Sequence, residues 1–133
     1  MQYLFLFLFI ALGGYPCELS IDKGIVIEGT ATISSIASGI LKNNEPCVVI
    51  GIAEENIGYI FRKKGKGSYT LSSSDYRVYG QSGDGLGRAL AIGNVDGYGN
   101  NELIIGGSKT VYIIEGQITG DIHLESESLL PAT

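Results

Sequence analysis

An internal repeat limits the fold of this 133-residue chain more than any other feature of its sequence. The segment Cys47–Gly51 (CVVIG) aligns with Glu102–Gly106 (ELIIG) at an offset of 55 residues. Farther along, Ile57–Phe61 (IGYIF) aligns with Thr110–Ile114 (TVYII) at an offset of 53. A unit of this size cannot bury its apolar face alone, so two copies in one chain are expected to stack on each other.

Each unit is predicted to contain short β-strands and no helix. Apolar runs rich in Ile, Val and Tyr recur about once every ten residues, between turns rich in Gly, Asn and Ser. No window after residue 20 has a helical period. The predicted strands are Ile25–Glu28, Thr32–Ala37, Cys47–Ile52, Gly58–Arg62, Ser68–Ser72, Ala89–Gly93, Glu102–Gly106, Thr110–Glu115 and Asp121–Leu124. The sequence therefore predicts an all-β fold with two sheets of three to four antiparallel strands.

The length of the repeat points to one all-β architecture in particular. Units of about 40 to 60 residues with about four strands each are typical of β-propeller blades. The segment Ile25–Gly29 (IVIEG) resembles Tyr112–Gly116 (YIIEG) and would be the last part of a preceding unit. Propellers close with about four to eight blades. The sequence thus predicts a partial propeller, either as a fragment of a longer protein or as a chain that associates with other copies.

The N-terminal residues are typical of a secretory signal peptide. Tyr3–Leu12 contains ten apolar residues and no charge, about half of the ~20 that a membrane-spanning helix needs. The small residues Ala11 and Gly13 favour cleavage after Gly13. We therefore expect a signal peptide over residues 1–13, no transmembrane span, and a secreted or cell-surface protein. The alternative is that this segment is a buried first strand.

The two cysteines, Cys17 and Cys47, leave two possibilities open. In an oxidising compartment they could form a disulfide that closes a 30-residue loop. Alternatively, Cys47 is a buried free thiol, because it begins the apolar run Cys47–Ile50.

Charge and motif content exclude several functions. Nine basic and fourteen acidic residues give a net charge of −5, which is unlike a nucleic-acid or polybasic membrane binder. The one basic cluster, Arg62–Gly67, lies between two predicted strands and is expected to be a hairpin tip. No nucleophile elbow, phosphate-binding loop or evident pair of catalytic carboxylates is present, so the sequence predicts no enzyme activity.

Residues 83–116 carry the most specific motif of the chain. They read GDGLGRALAIGNVDGYGNNELIIGGSKTVYIIEG. This segment resembles an FG-GAP repeat, the blade of the integrin α-chain propeller, with Leu86–Gly87 in place of Phe-Gly and Gly106–Ser108 in place of Gly-Ala-Pro. The resemblance is weaker over residues 33–62. It implies a degenerate blade with a lead-in strand over 20–82, a second blade over 83–126 and a tail over 127–133.

The resemblance places residues 94–102 (NVDGYGNNE) in the position of the family's calcium loop. Calcium takes about six to eight oxygen ligands, which a tight loop containing glycine can direct at one centre. Tyr98 departs from the family because a phenol cannot replace Asp or Asn there, and Glu102 is longer than the expected Asp. The implied ligands are Asn94, Asp96, Tyr98, Asn100 through its carbonyl, and Glu102. We expect weak calcium binding; the alternative is a metal-free turn in which Asn and Asp side chains cap the backbone.

The equivalent segment of the first unit, Gly39–Cys47, has Gly, Leu and Cys at ligand positions and is expected to bind no calcium. The resemblance implies an extracellular, non-enzymatic binding or adhesion module, with a protein ligand or further propeller blades as partner. One alternative is an accessory propeller segment of a secreted hydrolase, as in glycosylphosphatidylinositol-specific phospholipase D. Another is a truncated gene product without activity. The isolated chain is expected to self-associate or to be poorly stable, because its outer sheet edges lack neighbours.

Overall fold

The computed structural model describes residues 24–42 and 44–124, and these residues confirm the predicted all-β class. They form ten strands, one short 3₁₀ helix and three sheets. The elements are β1 Ile25–Glu28, β2 Ser35–Lys42, β3 Glu45–Ile52, β4 Ile57–Arg62, β5 Gly67–Thr70, the 3₁₀ helix Leu71–Ser73, β6 Tyr76–Tyr79, β7 Ala89–Gly93, β8 Glu102–Gly106, β9 Val111–Glu115 and β10 Ile122–His123. The predicted signal peptide at 1–13, Cys17 and the predicted tail at 127–133 lie outside the described residues. None of the described residues belongs to a helix long and apolar enough to cross a membrane.

The sequence repeat is present in the structure as two three-stranded antiparallel units. The first unit is β2–β3–β4 and the second unit is β7–β8–β9. Gly51 pairs with Gly58 in the first unit, and Gly106 pairs with Val111 in the second. These pairs differ by the same offsets of 55 and 53 residues as the aligned sequences. The two β-hairpins β3–β4 and β8–β9 therefore have the same register.

Four strands lie outside the repeated units, and two of their pairings correct the prediction of antiparallel sheets. β6 pairs antiparallel with β4, and β10 pairs parallel with β6, which extends the first unit to five strands in the order β10-β6-β4-β3-β2. β1 and β5 form a separate parallel pair, which we call the ribbon. The predicted second segment, 83–126, thus contributes its last strand to the sheet of the first unit.

The basic segment Arg62–Gly67 is not a hairpin tip, contrary to the prediction. β4 pairs with β6, which is absent from the predicted strands, and not with β5. The Arg62 N–H donates to Asp75 Oδ2 at 2.7 Å, and the Asp75 N–H donates to Ile60 O at 2.9 Å. These bonds hold the chain before β6 against β4, so β5 pairs with β1 instead.

Apolar side chains join the two units through one face of the first unit, which we call the stacking face. Val49, Ile60 and Val78 lie on this face and are at most 2% exposed. Leu103 and Ile105 of the second unit pack against them and are 0% exposed. Because each buried aliphatic side chain contributes about 1.5–3 kcal/mol, this core fixes the second unit on the first.

The opposite face of the first unit packs against the ribbon. Its residues Ile50, Ile52 and Phe61 are buried together with Leu71 of the 3₁₀ helix. Ile27 of the ribbon packs against this cluster. Described residues therefore pack on both faces of the first unit, and the ribbon covers only part of its face.

The chain enters the second unit through a close contact with the first. Gly87 has a φ of +105°, and a Cβ there would lie 2.9 Å from Ile52 N and 3.0 Å from Gly51 Cα, so the position requires glycine. Asn56, in the turn between β3 and β4, accepts a hydrogen bond from the Leu86 N–H at 2.7 Å through its side chain. Leu86 is fully buried. These contacts set the position at which β7 begins.

Candidate functional site

The loop between β7 and β8 forms the candidate site, and two of the implied calcium ligands shape its backbone. The loop comprises residues 94–101. Asn94 Oδ1 accepts a hydrogen bond from the Gly97 N–H at 2.9 Å, and Asp96 Oδ1 accepts one from the Tyr98 N–H at 2.8 Å. Asp96 thus forms an Asx turn with the residue two positions on, and Asn94 caps the backbone three positions on.

Glu102, the first residue of β8, holds the start of the loop through its side chain. It is 4% exposed, and its Oε1 accepts hydrogen bonds from the Val95 N–H at 2.6 Å and the Asp96 N–H at 3.3 Å. A buried carboxylate is costly unless it has partners, and these two backbone groups supply them to one of its oxygens. Glu102 Oε2 and Asp96 Oδ2 take part in no hydrogen bond formed within the described residues.

One surface pocket at this end of the second unit brings four of the five implied ligands together. These are Asp96, Tyr98, Asn100 and Glu102. Asn94 is not among the lining residues, and its side-chain oxygen is occupied by the loop backbone. Tyr98 is 79% exposed, so its phenol lies largely in solvent.

Sequence reasoning missed a fifth lining residue with suitable chemistry, Glu115 at the end of β9. Glu115 lies directly opposite Glu102 in the β8–β9 register. Two like charges at paired positions destabilise a sheet, and a bound cation would relieve their repulsion. The sequence repeat could have identified Glu115. This residue aligns with Arg62 of the first unit, so the charge at that position is reversed between the units.

The pocket contains oxygen donors of the kind that calcium prefers, but they are not arranged as a finished metal site. Asp96, Glu102 and Glu115 provide hard carboxylate oxygens, and Asn100 offers further neutral oxygens. Among the described residues, no three His, Cys, Asp or Glu side chains converge closely enough to hold a metal as they stand. Calcium would have to draw the carboxylates together, and the cost of that rearrangement lowers the affinity.

The corresponding hairpin of the first unit has a different end. Lys42 pairs with Glu45, so only two residues separate the paired positions, and Asn44 has a φ of 59°. Beside this turn, Arg62 Nη2 lies 2.8 Å from Glu45 Oε1. An arginine side chain therefore accompanies the carboxylate at this end of the first unit.

Cys47 is buried and forms no disulfide with any of residues 24–42 and 44–124. Burial raises its pKa, and a backbone hydrogen bond with Leu41 acts in the opposite direction. Because Cys17 lies outside the described residues, the disulfide between them stays a prediction.

A second polar cluster lies between the first unit and the ribbon. The guanidinium carbon of Arg77 lies 5.4 Å from the ring centroid of Tyr59, and the Tyr59 hydroxyl donates to Glu55 Oε1 at 2.5 Å. Burial, followed by the hydrogen bond to Glu55, raises the pKa of Tyr59 to about 12. The phenol therefore stays protonated at physiological pH and acts as a fixed hydrogen-bond donor.

The chain matches no family model, no curated protein and no solved structure. The resemblance to FG-GAP repeats therefore rests on the residues in 83–116 and 33–62 that carry it.

Proposed function

We propose that the chain is part of an FG-GAP-like β-propeller and serves as an extracellular, non-enzymatic binding module. The observation that supports this most is the sense in which the units stack. The stacking face of the first unit, with Val49 and Ile60, packs against the opposite face of the second unit, with Leu103 and Ile105. Equivalent faces thus point in the same direction along the stack, which is the arrangement that successive propeller blades require.

The proposal includes a weak calcium site at the β7–β8 loop, formed by Asp96, Glu102 and Glu115 with oxygens of Asn100. We expect a dissociation constant on the order of 10⁻⁴ to 10⁻³ M, as in extracellular calcium modules. Calcium at one to ten times this constant would stabilise the fold by about 0.4–1.4 kcal/mol. The role of the ion is to neutralise the facing carboxylates and stiffen the loop.

Calorimetric titration and thermal unfolding with calcium test this proposal. We expect calcium to raise the melting temperature of the wild-type chain and to have little effect on Asp96→Asn and Glu102→Gln. Both substitutions keep an oxygen that can accept the backbone hydrogen bonds, so they remove the charge without removing the caps. The matched control is Glu45→Gln, at the corresponding end of the first unit, which should respond to calcium like the wild type.

If calcium at about 10 mM, ten times the weakest expected constant, gives no heat and leaves the melting temperature unchanged, the loop is a metal-free turn. If calcium raises the melting temperature of Asp96→Asn as much as that of the wild type, the ion binds at a different site.

A further inference from the structure

The outward face of the second unit is apolar, and no described residue covers it. Alternate residues of β7, β8 and β9 form this open face: Ala89, Ala91, Ile104, Val111 and Ile113. Val111 is 65% exposed and Ile113 is 56% exposed. Contiguous apolar patches on a protein surface mark interaction sites.

The repeat shows what kind of surface this face accepts. By the offsets of 55 and 53 residues, Ile104 and Ile113 correspond to Val49 and Ile60 of the first unit. Those two residues are 0% and 2% exposed, because the second unit packs on them. The open face is therefore equivalent to the stacking face and fits the apolar side of another β-sheet.

A complementary surface lies at the other end of the molecule. The ribbon leaves part of the first unit uncovered, and a groove there is lined by apolar side chains that include Ile25, Ile40 and Val48. Ile25 and Ile40 are each 44% exposed. Lys63 and Lys64 line the same groove, which we call the basic groove.

One charge at the margin of each surface favours contact between the two surfaces. Glu115 is exposed at the margin of the open face, next to the carboxylate pocket. Lys63 is exposed at the basic groove and forms no ion pair with a described residue. Contact between an open face and a basic groove can pair Glu115 of one copy with Lys63 of the next. Val48 in the groove corresponds, by the offset of 55 residues, to Leu103, which packs on the stacking face. The groove therefore belongs to the side of a unit that a stacking face accepts.

We propose that the open face of one copy of this chain docks into the basic groove of a second copy, head to tail. This inference rests on the stacked arrangement in the proposed function and names its partner as a second copy. A head-to-tail contact leaves one open face and one groove free, so the association can extend beyond a dimer. The assembly should grow with protein concentration and weaken as salt screens the charges.

Sedimentation and light scattering of the full chain over a range of concentrations test the proposal. Ile113→Lys alters the open face and Ile40→Glu alters the basic groove, both at positions already exposed. Each variant alone should have an association constant at least about tenfold lower than that of the wild type. It should be monomeric at concentrations at which the wild type associates. Thr119→Lys, an exposed position outside both surfaces, serves as the control and should associate like the wild type.

The mixed sample gives the decisive result. Ile113→Lys retains an intact groove and Ile40→Glu retains an intact open face, so a 1:1 mixture should form a heterodimer that cannot extend. Association of Ile40→Glu alone would overturn the proposal in favour of face-to-face pairing, and association of Ile113→Lys alone in favour of groove-to-groove pairing. A wild-type chain that is monomeric at every concentration would also overturn it, leaving the open face to a different partner.

Circular dichroism and thermal unfolding establish that each variant is folded. All association measurements are made with calcium and with a chelator. Loss of the calcium response with association intact contradicts the calcium site alone, whereas a calcium response without association contradicts the interface alone.

Discussion

The hairpins β2–β3 and β7–β8 occupy equivalent places in the two units but end differently. In the first unit two residues turn the chain after Lys42, with Asn44 in the left-handed region that tight hairpin turns favour. In the second unit the turn is the longer loop 94–101, whose Asp96 lines one pocket together with Glu102 and Glu115. Since the short turn is sufficient to form the hairpin, the longer loop is not needed for folding. Long, polar loops on a rigid sheet commonly carry binding functions.

The units also differ in what covers them. Both faces of the first unit are packed, by the ribbon and by the second unit, whereas the open face of the second unit is bare within the described residues. A position on this face is therefore buried in the first unit and exposed in the second. Substitutions at matched positions measure how much that burial contributes to the free energy of unfolding.

The largest expected difference is between Ile60→Ala and Ile113→Ala, which truncate equivalent residues of the two units. Ile60 is 2% exposed in the core between the units, so its truncation should cost about 2–5 kcal/mol. Ile113 is 56% exposed, so its truncation should change the free energy of unfolding by at most about 0.5 kcal/mol. Urea unfolding at a concentration where the chain is monomeric measures both. Equal costs would mean that other residues of the same chain cover the open face.

The next effect tests the contact between the units. Gly87→Ala should destabilise the fold by about 2–4 kcal/mol, because the new Cβ meets the backbone of β3 and the positive φ strains any other residue. Gly93→Ala, at the end of β7, is the control, since a Cβ there meets no atom within 4 Å. Thermal unfolding of the two variants should differ in melting temperature by many degrees. A Gly87→Ala variant with a free energy of unfolding close to that of the wild type would show that this contact does not hold the second unit on the first.

A smaller effect tests the charge difference between the hairpin ends. Glu115→Arg gives the second unit the charge that Arg62 provides in the first. Removing the like-charge pair with Glu102 should raise the free energy of unfolding without calcium by about 0.2–1 kcal/mol. The same change should abolish the calcium response. Glu115→Gln, which removes one charge without reversing it, should lie between this variant and the wild type in both unfolding and calcium titrations.

An effect of similar small size concerns the acid stability of the first unit. Burial opposes ionisation of Asp75, but the hydrogen bonds from Lys64 Nζ and the Arg62 N–H together lower its pKa. A carboxylate with a lowered folded pKa stabilises the protein above its ordinary pKa. This stability is lost as pH falls through the folded value, that is, below pH about 4. In Asp75→Asn, the loss of unfolding free energy on acidification should therefore be smaller than in the wild type by about 0.2–1 kcal/mol. Chemical unfolding at several pH values measures this difference.

How far the sequence predicts the fold depends on whether the information is local. β1, β7 and β8 begin and end at the predicted residues, because each is an apolar run between turn residues. β6 is missed because Tyr76–Tyr79 has one aliphatic residue, Val78, and so lacks an apolar run; its pairing with β4 forms only in the folded chain. The pairings β1–β5 and β6–β10 join strands far apart in sequence, and no local pattern specifies them.

The candidate site was predictable to a similar extent. The resemblance to an FG-GAP repeat implies Asp96 and Glu102 as ligands, and the structure brings both to one pocket. Glu115 comes from a different strand, so only the strand register reveals that it faces Glu102. Asn94 fits the spacing, but its side chain is used by the loop backbone.

The parallel pairing of β10 with β6 has a consequence for how the molecule opens. In a linear stack, the last repeat has one neighbour and frays first. Here the chain leaves the five-stranded sheet after Tyr79 and returns beside it, where the Leu124 N–H donates to Tyr79 O at 2.8 Å. The second unit is thus anchored at both its entry and its exit, and it cannot detach without breaking strand pairing in the larger sheet. Amide protons of β8 should therefore exchange with solvent as slowly as those of β3, in one cooperative opening.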